Sequence, residues 1–531
     1  MGRALGRRAL TEPDRAAATS DPGRDAEMAS LARGGRLNAF GFVLRLAGMV
    51  PFLFIGGRIY GAAALGRFAY AVLAVEFAAQ IAALGLRRGL AQLLANGKKP
   101  QSWIVADAML VAAIASAVGT AILLLFPKAM YPTTQVHGLD RLLAITVLAI
   151  SWTDIALAAL AYRDDVASTV RARSIVQPWT ITIVALAWSF ISLTDGLIIA
   201  YVLSMVAALI ATLIPLIRSF GLPHDWKPDL RTSWATAWRN VPLAAADAVE
   251  WASRRIDLAV LGAFMPASFV GIYYAAQQVA TLPAKLKTSF EPVLGPAIVR
   301  RIVAGDLASV AKQVRQVTYW IIAAQLGIAL ALGIPGRAVM GLVGSDFTGG
   351  TAMLRFLLAA EVIAAAAFVS EAALIYLART RNMILSLFML ALEAGLAAGL
   401  ILIMKGEGFP QSYQATGPAI GLCVALACAS VSKSWLLRRK VHAPVSGWRW
   451  DLAWATAAGV AVGGTAHFLL PEALQLILGV PAIMLAFFAV LWTKGFGPED
   501  RELFRLRKHE VSDLRAAEAA QTGSAAGDDI V

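Results

Sequence analysis

The sequence predicts an all-α protein threaded many times through a membrane, and three observations carry that prediction. Hydrophobic residues make up 58% of the 531 and charged residues only 15%, where soluble domains carry roughly a quarter charged residues. The apolar residues come in runs of roughly 18 to 25, and about 20 such residues cross a ~30 Å hydrocarbon layer as a helix. Period-2 alternation, the mark of a membrane barrel, is absent from the sequence, so each run must satisfy its own backbone as a helix. A mean hydropathy of +0.66 agrees.

About fourteen runs meet the length requirement. In order they cover 37–57, 68–86, 103–126, 139–162, 175–193, 196–217, 241–265, 269–290, 319–334, 354–377, 383–404, 416–437, 452–470 and 473–492. Every second loop between them is basic: Arg87, Arg88, Lys98 and Lys99; Arg163, Arg171 and Arg173; Arg218, Lys227, Arg231 and Arg239; Arg300, Arg301 and Lys312; Arg379 and Arg381; Arg438, Arg439, Lys440 and Arg449. The intervening loops hold little beyond Arg58, Arg67, Lys128, Arg337 and Lys405. The positive-inside rule therefore places the basic loops and both termini in the cytoplasm. The net charge of +13 reads as orientation, not as nucleic-acid binding.

Residues 1–36 mix arginines with acids and alanines and lack the apolar stretch of a secretory signal, which predicts a disordered cytoplasmic tail. Met28 offers an alternative start. The stretch 494–531 is expected to be a second cytoplasmic tail, in which 498–520 forms either a solvated helix or an amphipathic one lying on the membrane. Cys423 and Cys428 lie five apart in one apolar run, on different helical faces, and read as packing residues. No G-x-x-x-x-G-K-[ST] loop occurs, and no histidine pairs with another His or a Cys at ligand spacing. Neither ATP binding by a P-loop nor zinc chemistry is expected, and no cofactor or metal site is read.

A weak internal repeat is present. Leu53 to Gly57, Leu65, Gly66, Phe68, Tyr70 and Ala71 can be laid on Leu258 to Gly262, Val270, Gly271, Tyr273, Ala275 and Ala276, with Gly57 and Gly262, and Gly66 and Gly271, each 205 positions apart. Many transporters consist of two related halves. The expected domains are a six-helix lobe at 37–217, a cytoplasmic linker at 218–240, a second six-helix lobe at 241–437 and two additional helices within 452–493.

The segments GAAALGRFAYA (61–71), ALGLRRGL (83–90), RIDLAVLG (255–262) and VGIYYAA (270–276) carry a resemblance. The chain resembles the polysaccharide-transporter branch of the multidrug/oligosaccharidyl-lipid/polysaccharide exporter superfamily, which contains O-antigen and exopolysaccharide repeat-unit flippases. The resemblance covers roughly 37–440. It implies two six-helix lobes around a central cavity that opens alternately to each side of a bacterial inner membrane. The implied substrate is a polyprenyl-diphosphate-linked oligosaccharide for surface polysaccharide or lipopolysaccharide, with polymerase and export machinery as partners.

Ionisable residues within the spans each need a partner or a wet cavity. Asp247, Glu250, Arg254 and Asp257 follow at steps of three and four, which predicts one polar stripe on the seventh span, with Arg255 beside it. That stripe is either cavity lining or a self-neutralising ladder locking the helix to its neighbours. Arg45, eight residues into the first span and followed by Pro51, is either an anion-site cation or an arginine snorkelling to headgroups. Glu76 and Gln80 share a face of the second span, where Arg87 and Arg88 read as interfacial anchors, and the eighth span adds Gln277, Gln278 and Lys285. Asp107, Asp154, Glu361, Glu371 and Glu393 occur singly, and any of them could carry a coupling proton.

Arginines facing a cavity would suit a diphosphate, so Arg45, Arg254, Arg255 and Lys285 are the candidate substrate cations. Glu76, Gln80, Asp247, Glu250 and Asp257 are the candidate polar or coupling groups. Two readings compete with a flippase: a cation-coupled multidrug exporter, and a non-transporting scaffold for polysaccharide synthesis. No outer loop exceeds about twenty residues on these spans, which leaves little room for an enzyme joining sugars outside.

Overall fold

The structure, a computed structural model, describes residues 40–96, 99–228, 234–235 and 238–496. The two expected tails, the helix expected at 498–520, Lys98 and Arg231 lie outside the described residues. What is described is helical, with no strand among the described residues.

The first helix, α1, covers 40–55 and widens into a π-turn at Gly56–Tyr60. Gly61 follows at φ +83°, a left-handed value that only glycine adopts without strain. The chain bends there so sharply that a Cβ on Gly56 would sit 3.1 Å from Leu65. It returns as α2 (Gly61–Ala82) and α3 (Leu86–Asn96). Next come α4 (Gln101–Leu125), α5 (Leu142–Tyr162), α6 (Val166–Val170), a π-turn at Arg171–Val176, α7 (Gln177–Trp188) and α8 (Gly196–Phe220). The second half contains α9 (Val241–Ala252), α10 (Ile256–Phe264), α11 (Ala267–Val303), α12 (Leu307–Gly333), α13 (Gly336–Val343), α14 (Thr351–Leu377), α15 (Arg379–Gly406) and α16 (Gly417–Val441). Helices α17 (Trp450–Leu469) and α18 (Val480–Val490) close the chain and pack on each other and on α12.

Among the described residues, ten helices are long and apolar enough to cross a membrane, fewer than the fourteen runs in the sequence. Part of the difference is that residues 40–95 count as one helical stretch of 56 residues, interrupted only by the bend at Gly61 and the turn at 83–85, that holds the first two runs. The seventh run is broken. A turn at 253–255 divides it into α9, of 12 residues, and α10, of 9, each too short to cross alone at 1.5 Å per residue. The expectation of one continuous seventh helix with a single polar stripe is therefore wrong. Asp257 supplies the reason: it stands in the first turn of α10, where its carboxylate accepts the Leu258 N–H at 2.8 Å. An acid there favours a new helix start over continuation of the old one.

The apolar cores define the shape. At one end a single cluster includes Phe52, Leu65 and Phe68 from the first half with Leu258, Val270, Met340 and Phe347 from the second. At the other end there are two clusters. Leu86, Leu90, Val105, Ile155 and Leu216 form one within the first half, and Ile298, Val314, Val369 and Leu437 belong to another within the second. The parted end is the one carrying Arg87, Arg88, Arg163, Arg300 and Arg438, the side expected to be cytoplasmic.

The repeat glycines lie at the joined end. A Cβ on Gly66 would fall 1.7 Å from the Ala267 carbonyl oxygen and 2.5 Å from the Gly271 nitrogen, and one on Gly271 would fall 2.0 Å from the Ala62 oxygen and 2.8 Å from the Gly66 nitrogen. Here α2 and α11 touch backbone to backbone. Gly57 abuts Val343 and Gly262 abuts the Tyr70 ring in the same way, so each glycine of the repeat is set by a close approach.

Candidate substrate chamber

Charged side chains from several helices of both halves meet around α2. Glu76 on α2 is their hub: it accepts hydrogen bonds from Arg255 Nη1, in the turn between α9 and α10, and from the Tyr201 hydroxyl of α8 at 3.3 Å. The Arg255 guanidinium also lies 5.1 Å from the centre of the Trp251 ring, which stacks against Phe77 at 5.3 Å. Arg173, in the π-turn before α7, donates to Asp154 of α5 and to Gln177 at 3.1 Å. Gln278 on α11 donates to the Tyr274 hydroxyl at 2.6 Å, and Gln80, one turn from Glu76, is half-buried.

Arg45 stands apart from these pairs. Its side chain is exposed, yet it lies in the field of Arg173, Glu76, Arg255 and Tyr274, contributed by segments other than its own. Charged or polar groups from several other segments thus lie around Arg45. Among the described residues it has no carboxylate within ion-pair distance. Lys285 on α11 is exposed in the fields of Arg45 and Arg254. These placements bring Arg45, Arg255, Lys285 and Glu76 into one region.

The other predicted residues belong elsewhere. Asp247 is buried and Arg88 of α3 reaches it at 2.6 Å, while the same guanidinium reaches Glu250 at 2.7 Å. Arg254 pairs with Glu250 at 3.2 Å, both largely exposed. Arg88, read from sequence as an interfacial anchor, is thus a latch from the first half to the second at the parted end. Beside it a Cβ on Gly85 would meet the Asn240 carbonyl oxygen at 2.7 Å and one on Gly89 would meet the Asn240 side chain at 2.8 Å, so both glycines let the segments pack closely.

Asp257 is 1% exposed and is not among the acids that pair with an arginine among the described residues. It accepts hydrogen bonds from the Tyr273 hydroxyl at 2.7 Å and from Gln277 at 3.3 Å. A second buried acid, Glu393 of α15, lies in its field and has an Oε1 with no hydrogen-bond partner.

Sequence reasoning missed Arg173, Tyr201, Tyr274 and the electrostatic coupling of Glu393 to Asp257. Arg173 counts in one dimension as a loop charge, and no spacing rule links it to Asp154 on another helix. The exposed Arg45 had a signal, its depth within an apolar run, and so did Glu76.

No protein-family model matches the chain, and no curated protein matches it by sequence. Solved structures do. The chain is similar to the lipid II flippase MurJ in an inward closed conformation, with a TM-score of 0.64 and 12% identity over 87% of this chain and 99% of that one. It is similar to a multidrug resistance MATE family transporter of the MOP superfamily in an inward-facing conformation, with a TM-score of 0.60 and 14% identity over 75% and 98% of the two chains. A MOP superfamily transporter from Pyrococcus furiosus matches with a TM-score of 0.53 and 14% identity over 78% and 95%. The fold is that of the MOP-superfamily transporters, in a multi-pass membrane protein.

Proposed function

We propose that this chain is a flippase which carries the diphosphate head of a lipid-linked oligosaccharide across the bacterial inner membrane while the polyprenyl tail stays in lipid. The observation that carries the reading is Arg45, an exposed cation enclosed by protein and without a carboxylate partner among the described residues. A guanidinium binds phosphate oxygens in a bidentate manner, and low-dielectric walls strengthen the attraction. Arg255 and Lys285 add positive charge that acts on Arg45 or is acted on by it. Likeness to a lipid II flippase supports the same substrate class.

The two halves, 37–217 and 241–437, are proposed as the rocking lobes. The head enters where the cores part, after the Arg88 latch opens, and leaves when the Gly66–Gly271 contact separates. The Asp257–Glu393 pair is the proposed proton-coupling site: one of the two carboxyls takes up a proton in one state and releases it in the other. The product would be polymerised outside by other enzymes, as surface polysaccharide assembly requires.

A cation-coupled drug exporter of the same superfamily is the competing reading, and MATE transporters share the fold. It needs acids free to bind an organic cation. Here Glu76 is neutralised by Arg255 and Asp154 by Arg173, which favours an anionic cargo. A scaffold that transports nothing has no use for an enclosed unpaired arginine.

The test replaces Arg45 in cells. With Arg45→Ala, lipid-linked precursor is expected to accumulate in the cytoplasmic leaflet and export to fall at least tenfold, the loss of about 1.5–3 kcal/mol that a charged hydrogen bond contributes. Arg45→Lys should restore part of it. Full export by Arg45→Ala at normal protein level would remove the reading's support.

A further inference from the structure

We propose that the cytoplasmic end of α16, α17 and α18 forms a binding site for the headgroup of an anionic phospholipid, separate from the chamber. Eight tryptophans among the described residues are strongly exposed, and five of them lie at this one corner: Trp435, Trp448, Trp450, Trp454 and Trp492. A belt that only marked the membrane interface would spread them around the whole circumference. The corner is also basic. Arg438, Arg439 and Lys440 occupy the last turn of α16, Arg449 precedes α17 and Lys494 follows α18, against one nearby acid, Asp451.

Packing brings these residues to one place. Leu437 and Val441 of α16, Leu452 of α17 and Leu491 after α18 are buried in the same core cluster. The chain between α16 and α17 folds back onto α12, where a Cβ on Gly447 would lie 2.7 Å from the Tyr319 nitrogen.

Tryptophan and cation are paired in a way that leaves donors open. The Arg439 guanidinium lies 3.8 Å from the centre of the Trp435 ring, and the Lys494 ammonium lies 5.8 Å from that of Trp454. Cation–π contact of this kind holds the charge against the ring face, and both side chains remain exposed. Neither has a carboxylate partner among the described residues. A phosphate at headgroup depth supplies both the acceptors and the charge, and its acyl chains lie against the exposed rings. The cytoplasmic leaflet is the anionic one.

The experiment is native mass spectrometry of the full-length protein titrated with phosphatidylglycerol and with phosphatidylcholine. Wild type is expected to retain phosphatidylglycerol about tenfold or more over phosphatidylcholine. The double variant Arg439→Gln, Lys494→Gln should lose about thirtyfold in phosphatidylglycerol retention, from ~1 kcal/mol for each basic residue near an anionic surface. Arg439→Lys should keep most of it. If the double variant does not purify as a folded monodisperse species, Arg439→Gln alone should still lose about fivefold. Equal retention of the two lipids by wild type, unchanged retention by the variants, or displacement of the lipid by inorganic phosphate alone would each overturn the proposal. Chamber function is read separately by precursor accumulation in Arg45→Ala, so the two can fail independently.

Discussion

Adding one methyl group at position 271 is a direct test of how the joined end seals. In Gly271→Ala the new Cβ would lie 2.0 Å from the Ala62 carbonyl oxygen and 2.8 Å from the Gly66 nitrogen. Both are main-chain atoms and cannot rotate away. Ordinary contact begins at 3.4 Å, so α2 and α11 must part by roughly 1.4 Å or bend, and overpacking of this kind costs about 1–3 kcal/mol. That cost falls on the state in which the joined end is closed and is relieved when it opens. The closed-to-open ratio should therefore shift by about 5- to 150-fold. A cysteine placed at Gln278, in a background with Cys423 and Cys428 replaced by serine, reports opening by its reaction with an impermeant thiol reagent added from outside. The expected result is a rate increase of that order, with a smaller further increase on adding Gly66→Ala, because both substitutions strain one contact. An unchanged rate in protein that elutes and melts like wild type would refute the reasoning, as would fully additive effects of the two substitutions.

Other consequences follow from the same geometry. Glu393→Gln, which fixes that carboxyl in a neutral form, should abolish the dependence of transport on a proton gradient while leaving protein level unchanged; a gradient response equal to wild type would remove Glu393 from the coupling role. Arg88→Ala leaves Asp247 buried with only Arg87 nearby, at 3.9 Å. Because Arg88 is 45% exposed, solvent reduces the loss to about 1–2 kcal/mol from the ~3–5 of a fully buried pair. Reagent added from the cytoplasmic side should then reach the chamber several-fold faster, with wild-type access counting against the latch. Asp306, before α12, accepts hydrogen bonds from the Ser309 hydroxyl and backbone N–H, which hold its carboxyl below the usual value. A depressed carboxyl stabilises the fold above its unfolded value and loses that contribution as pH falls through the folded one. The protection factor of the Ser309 amide, its exchange rate relative to the intrinsic rate at the same pH, should therefore fall below about pH 4, and an amide protected equally at pH 3 and pH 7 would contradict the cap.

What the sequence made legible was whatever depends on neighbours along the chain. Span lengths, the alternation of basic loops and the depth of Arg45 within an apolar run all follow from local composition, because the bilayer acts on each segment separately. Glu250 and Arg254 were legible as a pair since four residues make one helical turn. The chamber's other pairs join different helices: Glu76 with Arg255 across 179 positions and Asp154 with Arg173 across 19. No periodicity encodes such distances. The break at 253–255 was hidden by a regular step of charges, which looks the same whether a helix continues or restarts. The repeat spacing of 205 pointed to positions whose role only packing reveals, since a glycine needed for touching backbones looks like any other in one dimension.

On the proposed alternating mechanism the two ends of this molecule answer to different variables. Where the halves share one oily interior, parting them exposes hydrocarbon and peptide surface, a process governed by temperature and by the thickness and composition of the surrounding lipid, and nearly blind to salt. Where the halves keep separate interiors and meet through guanidinium and carboxylate, added electrolyte loosens the bridge, most strongly once the Debye length drops below about 10 Å. Ionic strength thus becomes a handle that biases one entrance and not the other.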